Sequence, residues 1–473
     1  MPLVGRWRAG SSGRVVLDTD PWSGQALAEI PLTEVGDLDS VFGAAREAQR
    51  RWAACSPAHL AEVMLSAAAV VQSRRAEIVH WLVHETGGIL AKAELEWDLV
   101  RSVLLEAASV PYHATGSVVP SDAPGRESRV YRQPAGVVAV IGSWEFPMHR
   151  SARLVAAALA AGNAVVLKPA GDTPVTGGLL LARVLEEAGL PDGLLSVVIG
   201  AGNEIGAAIA AHSVPSVLSF TGSASVGQRL ARAPGVAAAK RLALEVGGHG
   251  PLVVLDDADV ARAADAAVFG SFVRHGQICM IASRLIVDRR VYDEFTERLL
   301  TEIRCLRIGD PAATDTDVGP LLSARQLSAV QDTLKRVGDE GARQVLGGEP
   351  RCPTGLLLPP HVLLARGGMT TPREAVFGPV ITVIRARNAD DALKIANHAD
   401  YERSGAVFTS DTERGVRFAA GMAAGITHIN ASPANDDTNA AVGGAPARGI
   451  GRFGGPWAIE TFTTQRWISQ PRP

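Results

Sequence analysis

Four cysteines are the whole thiol complement of this 473-residue chain. Cys55, Cys279, Cys305 and Cys352 lie far apart with no CxxC pair, which argues against a disulfide framework or a zinc site and fits a reducing compartment. An excess of one charge is missing too. The 46 Lys and Arg against 49 Asp and Glu leave a net charge of −3, without a long basic or acidic run. That balance gives no support for a nucleic-acid or membrane partner. A uniformly apolar run of the ~18 residues needed to cross a bilayer is lacking. The nearest approach, Leu154–Lys168, is interrupted by Gly162 and Asn163. Met1–Ser12 has no apolar core of a secretory signal, and neither an internal repeat nor a low-complexity linker is visible. Hydrophobic residues, in contrast, make up 47% of the chain against 20% charged, ample for a large packed core. The length allows about three domains of ~150 residues. The default expectation is a cytoplasmic enzyme that holds no metal.

Residues 1–36 read as turns and short strands, with a turn at Asp20–Gly24. From Leu38 helical spacing takes over at Val41, Ala44, Ala45, Ala48 and Trp52, with Asp37 or Asp39 as the expected cap. Further helices are predicted over Pro57–Arg74, Ala76–Glu85 and Ile89–Val110. The polar stretch 112–132 reads as a hairpin or arm. From Pro134 strand and helix alternate: strands at Val137–Ile141, Ala164–Leu167, Leu195–Ile199, Val217–Phe220 and Leu242–Val246, with helices between them. Continuous apolar strands separated by helices imply a parallel sheet covered on both faces, whose ligands bind beyond the carboxyl ends of the strands. A second α/β unit follows residue 250, and the glycine-rich Gly443–Pro456 is predicted to be loop. The units interleave rather than follow one another as beads.

Cys279 follows the break Gly276-Gln277 at the end of an apolar helical run. It reads two ways: a buried, inert thiol, as free cysteines commonly are, or a reachable nucleophile on exposed backbone. Glu245 ends a short apolar strand before Gly247 and Gly248, and reads either as a solvated strand-end residue or as a general base. The segment Phe220-Thr-Gly-Ser-Ala-Ser-Val-Gly227 follows a strand and opens a helix, where free N–H groups and the helix dipole favour a pyrophosphate; a plain strand–helix turn is the alternative. Gly200–Gly206 misses the GxGxxG spacing and is a weak signal. Lys168 ends a strand, either as a ribose or 2′-phosphate contact or as a solvated lysine. His249 and His275 read as structural residues.

Together, Glu245, Cys279 and the Phe220–Gly227 segment resemble the NAD(P)-dependent aldehyde dehydrogenase superfamily, and the likeness runs from Asp20–Gly24 to Phe462–Trp467. Val165–Pro169, Asp172–Gly178 and Gly451–Gly455 look most similar to benzaldehyde and related aromatic aldehyde dehydrogenases. The resemblance implies an α/β fold with a Rossmann-type cofactor domain over residues 1–115 and 136–246, an α/β catalytic domain over 247–445, and a small β oligomerisation arm with the C-terminal segment over 116–135 and 446–473. It implies a homodimer or homotetramer, with residues near Thr461–Ser469 pairing with the arm. Cys279 would attack an aldehyde, hydride would pass to NAD or NADP, and water activated by Glu245 would hydrolyse the thioester. Cofactor contacts are implied for Ser143, Trp144, Lys168, Gly222, Ser223, Gly227, Gly247 and Phe377. Tyr112, His113, Trp144, Met148 and Phe272 are candidates to line the substrate tunnel.

Three positions depart from the family pattern. Gly171 stands where an acidic residue usually grips the ribose, so nothing there repels a 2′-phosphate. Ala375 stands where a Glu usually holds the nicotinamide ribose, with Glu374 one position away. Glu145 replaces the Asn whose side chain donates to the oxyanion. An ionised carboxylate cannot donate and would raise the Cys279 pKa. Glu145 is then a carboxyl kept protonated by burial, a receptor for a cationic substrate group, or the mark of a repurposed protein with weak or altered chemistry. The backbone N–H of Cys279 is expected to remain available as a donor in each case.

Overall fold

The computed structural model describes every residue except 234, 235, 237–239, 249, 367, 368, 370–375, 399–402, 444–448 and 473. His249, Glu374 and Ala375 therefore lie outside the described residues.

Among the described residues the first core is a six-stranded sheet in the order Gly449–Ile450, Arg241–Val246, Val217–Gly222, Val137–Ile141, Ala164–Lys168, Leu195–Val197. All pairings are parallel except that of Gly449–Ile450 with Leu244 and Glu245. Two adjacent interior strands, Val137–Ile141 and Ala164–Lys168, are buried along their whole length, which is why they read as apolar runs. The helices Asp37–Trp52 and Pro147–Ala160 pack against these strands. A second sheet has the order Arg343–Leu346, His361–Ala365, Val380–Ala386, Arg284–Asp288, Pro251–Val254, Ser404–Phe408, Ile426–Ile429, parallel but for its first pair. A third sheet pairs Arg126–Pro134 antiparallel with both Ser117–Val119 and the C-terminal strand Thr463–Pro471, with Trp467 opposite Val130. No single described helix is long and apolar enough to cross a membrane.

Local details differ from expectation for identifiable reasons. Asp37 does not cap its helix; the N-cap is Gly36, and the Asp37 carboxylate instead accepts the backbone N–H groups of Ser11 and Glu34. The glycine-rich tail is not all loop: Gly449–Ile450 extends the first sheet, and a helix begins at Gly455. That helix has Pro456 in its first turn, a position where the missing N–H costs nothing. Phe272 belongs to the core of the second sheet, Met148 to that of the first, and Tyr112 and His113 are exposed.

Candidate active site

The carboxyl ends of the first sheet open onto a cleft of about 850 Å³. Ser143, Trp144, Glu145, Lys168, Gly171, Gly222, Ser223, Glu245, Gly247 and Phe377 line it. Gly227 stands just behind, where a Cβ would come within 2.6 Å of Val246 Cγ1, so glycine lets the helix Ala224–Ala231 pack onto the neighbouring strand. Ser223 caps that helix, its hydroxyl accepting from the Val226 N–H. Trp144 and Phe377 meet edge to face with ring centroids 5.9 Å apart.

Lys168 is not solvated. It is buried, donates to the Pro169 carbonyl at 3.1 Å, and burial lowers its pKa to about 8. Arg229 also lines the cleft, and a Cβ on Gly171 would meet nothing within 4 Å. A long cleft with a helix N-terminus at one wall and a buried lysine at a strand end fits a dinucleotide.

Cys279 lies deeper. It is only 2% exposed, so the expectation of a thiol on exposed backbone is corrected. Phe146, Ile278, Met280 and Ile281 surround it. The chain reaches it through two successive left-handed residues, His275 (φ 62°) and Gly276 (φ 68°). A Cβ on Gly276 would fall 2.1 Å from the Gly378 carbonyl oxygen, so only glycine makes this turn. Gly248 presses on the loop from the other side: its Cβ would lie 2.6 Å from Cys279 Cα. The His275 ring faces the Leu358 carbonyl at 3.3 Å, and burial lowers its pKa to about 4, so it remains a neutral structural residue.

Glu245, at the carboxyl end of its strand and opposite Thr221, is equally buried. Its Oε2 takes Arg403 Nη2 at 2.9 Å and Arg150 Nη1 at 3.3 Å, while Oε1 has no hydrogen-bond partner among the described residues. Burial acts to raise the Glu245 pKa, but Arg403, Arg150 and Arg153 outweigh it and hold the group below its ordinary value. Arg150 also reaches the thiol, its Nη2 standing 3.0 Å from Cys279 Sγ. One guanidinium thus spans Cys279 and Glu245. For the thiol burial dominates: the pKa rises to about 11, although Arg150 and Arg403 pull it down, and Glu145 and Glu245 add to the rise.

Glu145 sits where the sequence put it, beside Cys279, but with a consequence not anticipated. Its Oε2 accepts the Cys279 backbone N–H at 2.5 Å, so that N–H is not left as a spare donor. The next residue, Phe146, is held at φ 42°, a strained conformation for a bulky side chain of the kind that clusters at functional sites. It leads into the fully buried helix Pro147–Ala160, whose first free N–H groups, those of Met148 and His149, are accepted by Glu96 from a distant helix. That helix carries Arg150 and also Arg153, which pairs with Asp436 at 2.8 Å.

Arg150, Arg153, Arg403 and Asp436 were missed in the sequence. The available signal was charge in apolar surroundings: His149, Arg150 and Arg153 open an otherwise Ala- and Leu-rich helix, and Arg403 enters a continuous apolar strand. Among the described residues no group of three or more His, Cys, Asp or Glu is gathered to hold a metal.

A dinucleotide-sized cleft at the carboxyl ends of a parallel sheet, lined by a buried carboxylate that one guanidinium links to a buried thiol, has the form of a nucleotide-dependent oxidoreductase. The family model described as "Aldehyde dehydrogenase family" matches residues 7–468. A vanillin dehydrogenase of Corynebacterium glutamicum is 43% identical over 472 residues, covering 99% of this chain and 97% of the relative. The crystal structure of an NAD-dependent benzaldehyde dehydrogenase from the same species superposes with a TM-score of 0.91 at 41% identity, covering 100% of this chain and 96% of that one. That of an NADP-dependent enzyme of E. coli superposes with a TM-score of 0.96 at 29% identity, covering 99% of this chain and 97% of the other. The chain belongs to the aldehyde dehydrogenase family.

Proposed function

We propose that the chain oxidises an aromatic aldehyde to the carboxylic acid with NAD or NADP, Cys279 acting as nucleophile and Glu245 as general base. The observation that carries the reading is the single guanidinium of Arg150 spanning Cys279 Sγ and Glu245, the latter lining the cleft. The aromatic substrate is supported by the vanillin and benzaldehyde dehydrogenases among the relatives.

The thiol gives its proton to solvent water and the sulfur attacks the carbonyl carbon; a C–S bond forms and the π electrons move to oxygen. The bound cofactor supplies the hydride acceptor. As hydride leaves, the oxygen lone pair re-forms the carbonyl and leaves a thioester on Cys279. Glu245 then takes a proton from water through Oε1, which has no partner among the described residues; hydroxide adds to the thioester, and the C–S bond breaks to release the acid and a thiolate, which takes the proton held by Glu245. Lys168, Ser143, Trp144, Gly222, Ser223, Gly227, Gly247 and Phe377 would hold the cofactor, with Lys168 and Ser223 at its ribose and pyrophosphate.

The division into a cofactor domain (1–115, 136–246), a catalytic domain (247–445) and an arm (116–135, 446–473) is supported by the three largest of the five described sheets, each drawn from one of these parts except for Gly449–Ile450 in the first sheet. A homodimer or homotetramer is supported by the exposed Val118, Tyr131 and Trp467 on the third sheet. A cytoplasmic location is supported by four free cysteines.

A second reading, altered or weak chemistry on this fold, is favoured by Glu145 occupying the Cys279 N–H. One experiment separates the two: NAD(P)H formation over aromatic, aliphatic and amino aldehydes, with Cys279→Ala as control. Thiol-dependent reduction of the cofactor with benzaldehyde or vanillin supports the first reading. Cofactor-independent ester hydrolysis without aldehyde oxidation supports the second.

A further inference from the structure

Attack on a carbonyl creates an oxyanion, and the two donors that usually receive it are both compromised here. Residue 145 offers a carboxyl group instead of an amide, and its Oε2 already accepts the Cys279 backbone N–H. Some other donor must stand near Sγ if the chain is to stabilise the tetrahedral state. Arg150 is positioned for this. Its Nη2 lies 3.0 Å from Cys279 Sγ. A carbonyl carbon bonded to Sγ carries its oxygen one bond further, so a donor already at hydrogen-bond distance from the sulfur is within reach of that oxygen.

We propose that Arg150 is a catalytic residue of this chain, supplying the charged oxyanion donor that Glu145 cannot. Three further features agree. The guanidinium is buried, where a preorganised donor acts more strongly than it would in water. Its other arm is fixed on Glu245 at 3.3 Å, so its orientation is set before substrate arrives. Its Nε has no partner among the described residues and is left over for a small local shift. The same contact favours the thiolate over the thiol, opposing the burial that raises the Cys279 pKa. In the step itself the C–S bond forms, the carbonyl π pair moves to oxygen, and an Arg150 N–H donates to that oxygen without losing its proton.

The inference rests on Cys279 being the nucleophile. If Cys279→Ala leaves NAD(P)H formation intact, that reading fails; if wild-type and Arg150→Met enzymes share the same kcat, only the present inference does. Arg150→Met leaves Glu245 paired with Arg403 at 2.9 Å, so the buried carboxylate is not stranded. Four proteins are compared with benzaldehyde: wild type, Arg150→Met, Glu145→Asn and the double variant, with NAD(P)+ titration as the folding control. Arg150→Met should lower kcat by ~10²–10³-fold, the value of one oxyanion donor, with the cofactor KM unchanged. It should also move iodoacetamide alkylation of Cys279 to higher pH. Glu145→Asn in the Arg150→Met background should restore at least tenfold of the loss, because an amide donor returns; a residue that only filled space would not be rescued this way. Arg150→Lys keeps the charge but cannot serve two partners from one fork, and should lose at least about tenfold in kcat. Wild-type kcat in either Arg150 variant, or no rescue by Glu145→Asn, overturns the assignment.

Discussion

Glu145 and Cys279 are joined by the shortest contact described at the site, a backbone N–H donated at 2.5 Å to a carboxylate oxygen. In the proposed mechanism, the carboxylate thus holds the N–H that would receive a substrate oxygen. Replacing it with an amide frees the Cys279 N–H and adds a donor. Glu145→Asn is expected to raise kcat for aldehyde oxidation, by at most the ~10²–10³ associated with one such donor. Steady-state rates with benzaldehyde check this. An unchanged or lower kcat would identify Glu145 as an adaptation to its own substrate, not a defect.

The Cys279 thiol has a pKa raised to about 11, chiefly by burial. Thiolate accumulates only above the pKa, so alkylation of the cofactor-free enzyme by iodoacetamide should be slow at pH 7 and increase tenfold per pH unit up to about 11. Cys55 and Cys305 are more accessible, so the measurement should follow the Cys279 peptide by mass spectrometry. A plateau reached near pH 8 would contradict it.

Lys168, held at about 8 by burial, is charged below that pH and neutral above it. If its ammonium meets a 2′-phosphate, the KM for NADP should rise as pH passes through about 8, and that for NAD should change less. Lys168→Ala should flatten the difference. With no carboxylate at position 171, NADP should be accepted; its strict rejection in initial-rate assays would refute that argument.

The buried Glu245 carboxylate holds both Arg150 and Arg403. Glu245→Ala leaves two buried guanidinium groups without their anion and should destabilise the fold by about 3–5 kcal/mol, read as a lower Tm. The pH dependence follows from the lowered Glu245 pKa. Its contribution to stability is complete above the unfolded value of 4.5 and is lost as pH falls through the lower folded value. Wild-type Tm should therefore fall steeply below pH about 4.5, and less steeply in Glu245→Ala.

Gly248→Ala would place a methyl group 2.6 Å from Cys279 Cα. The loop bearing the thiol must then shift, and since small misplacements cost much rate, kcat should drop by about 10²-fold with cofactor binding preserved. Unaltered kcat would show that the loop adjusts freely.

The fold was legible wherever both faces of an element are buried. Val137–Ile141 matches its apolar run residue for residue, and Ala164–Lys168 extends its run only by Lys168, since a strand in the middle of a covered parallel sheet has no polar face to blur the pattern. The short strands Ile426–Ile429 and Gly449–Ile450 were not legible, because pairing with a distant strand, not local pattern, holds them. The start of Pro147–Ala160 carries no local signal either: its first N–H groups are accepted by Glu96, 51 residues before Pro147, and no local side chain caps it.

The residue types in the chain were sufficient to set the family resemblance, the candidate thiol and carboxylate, and the departure at residue 145. Each is a chemical identity at a recognisable spacing, and it survives without coordinates. What surrounds those groups was settled only by folding. The clasp of Glu145 on the Cys279 N–H and the Arg150 guanidinium between Cys279 and Glu245 join residues 95 to 134 positions apart, and the protonation of such buried groups depends on desolvation and on charges that only the tertiary structure brings near.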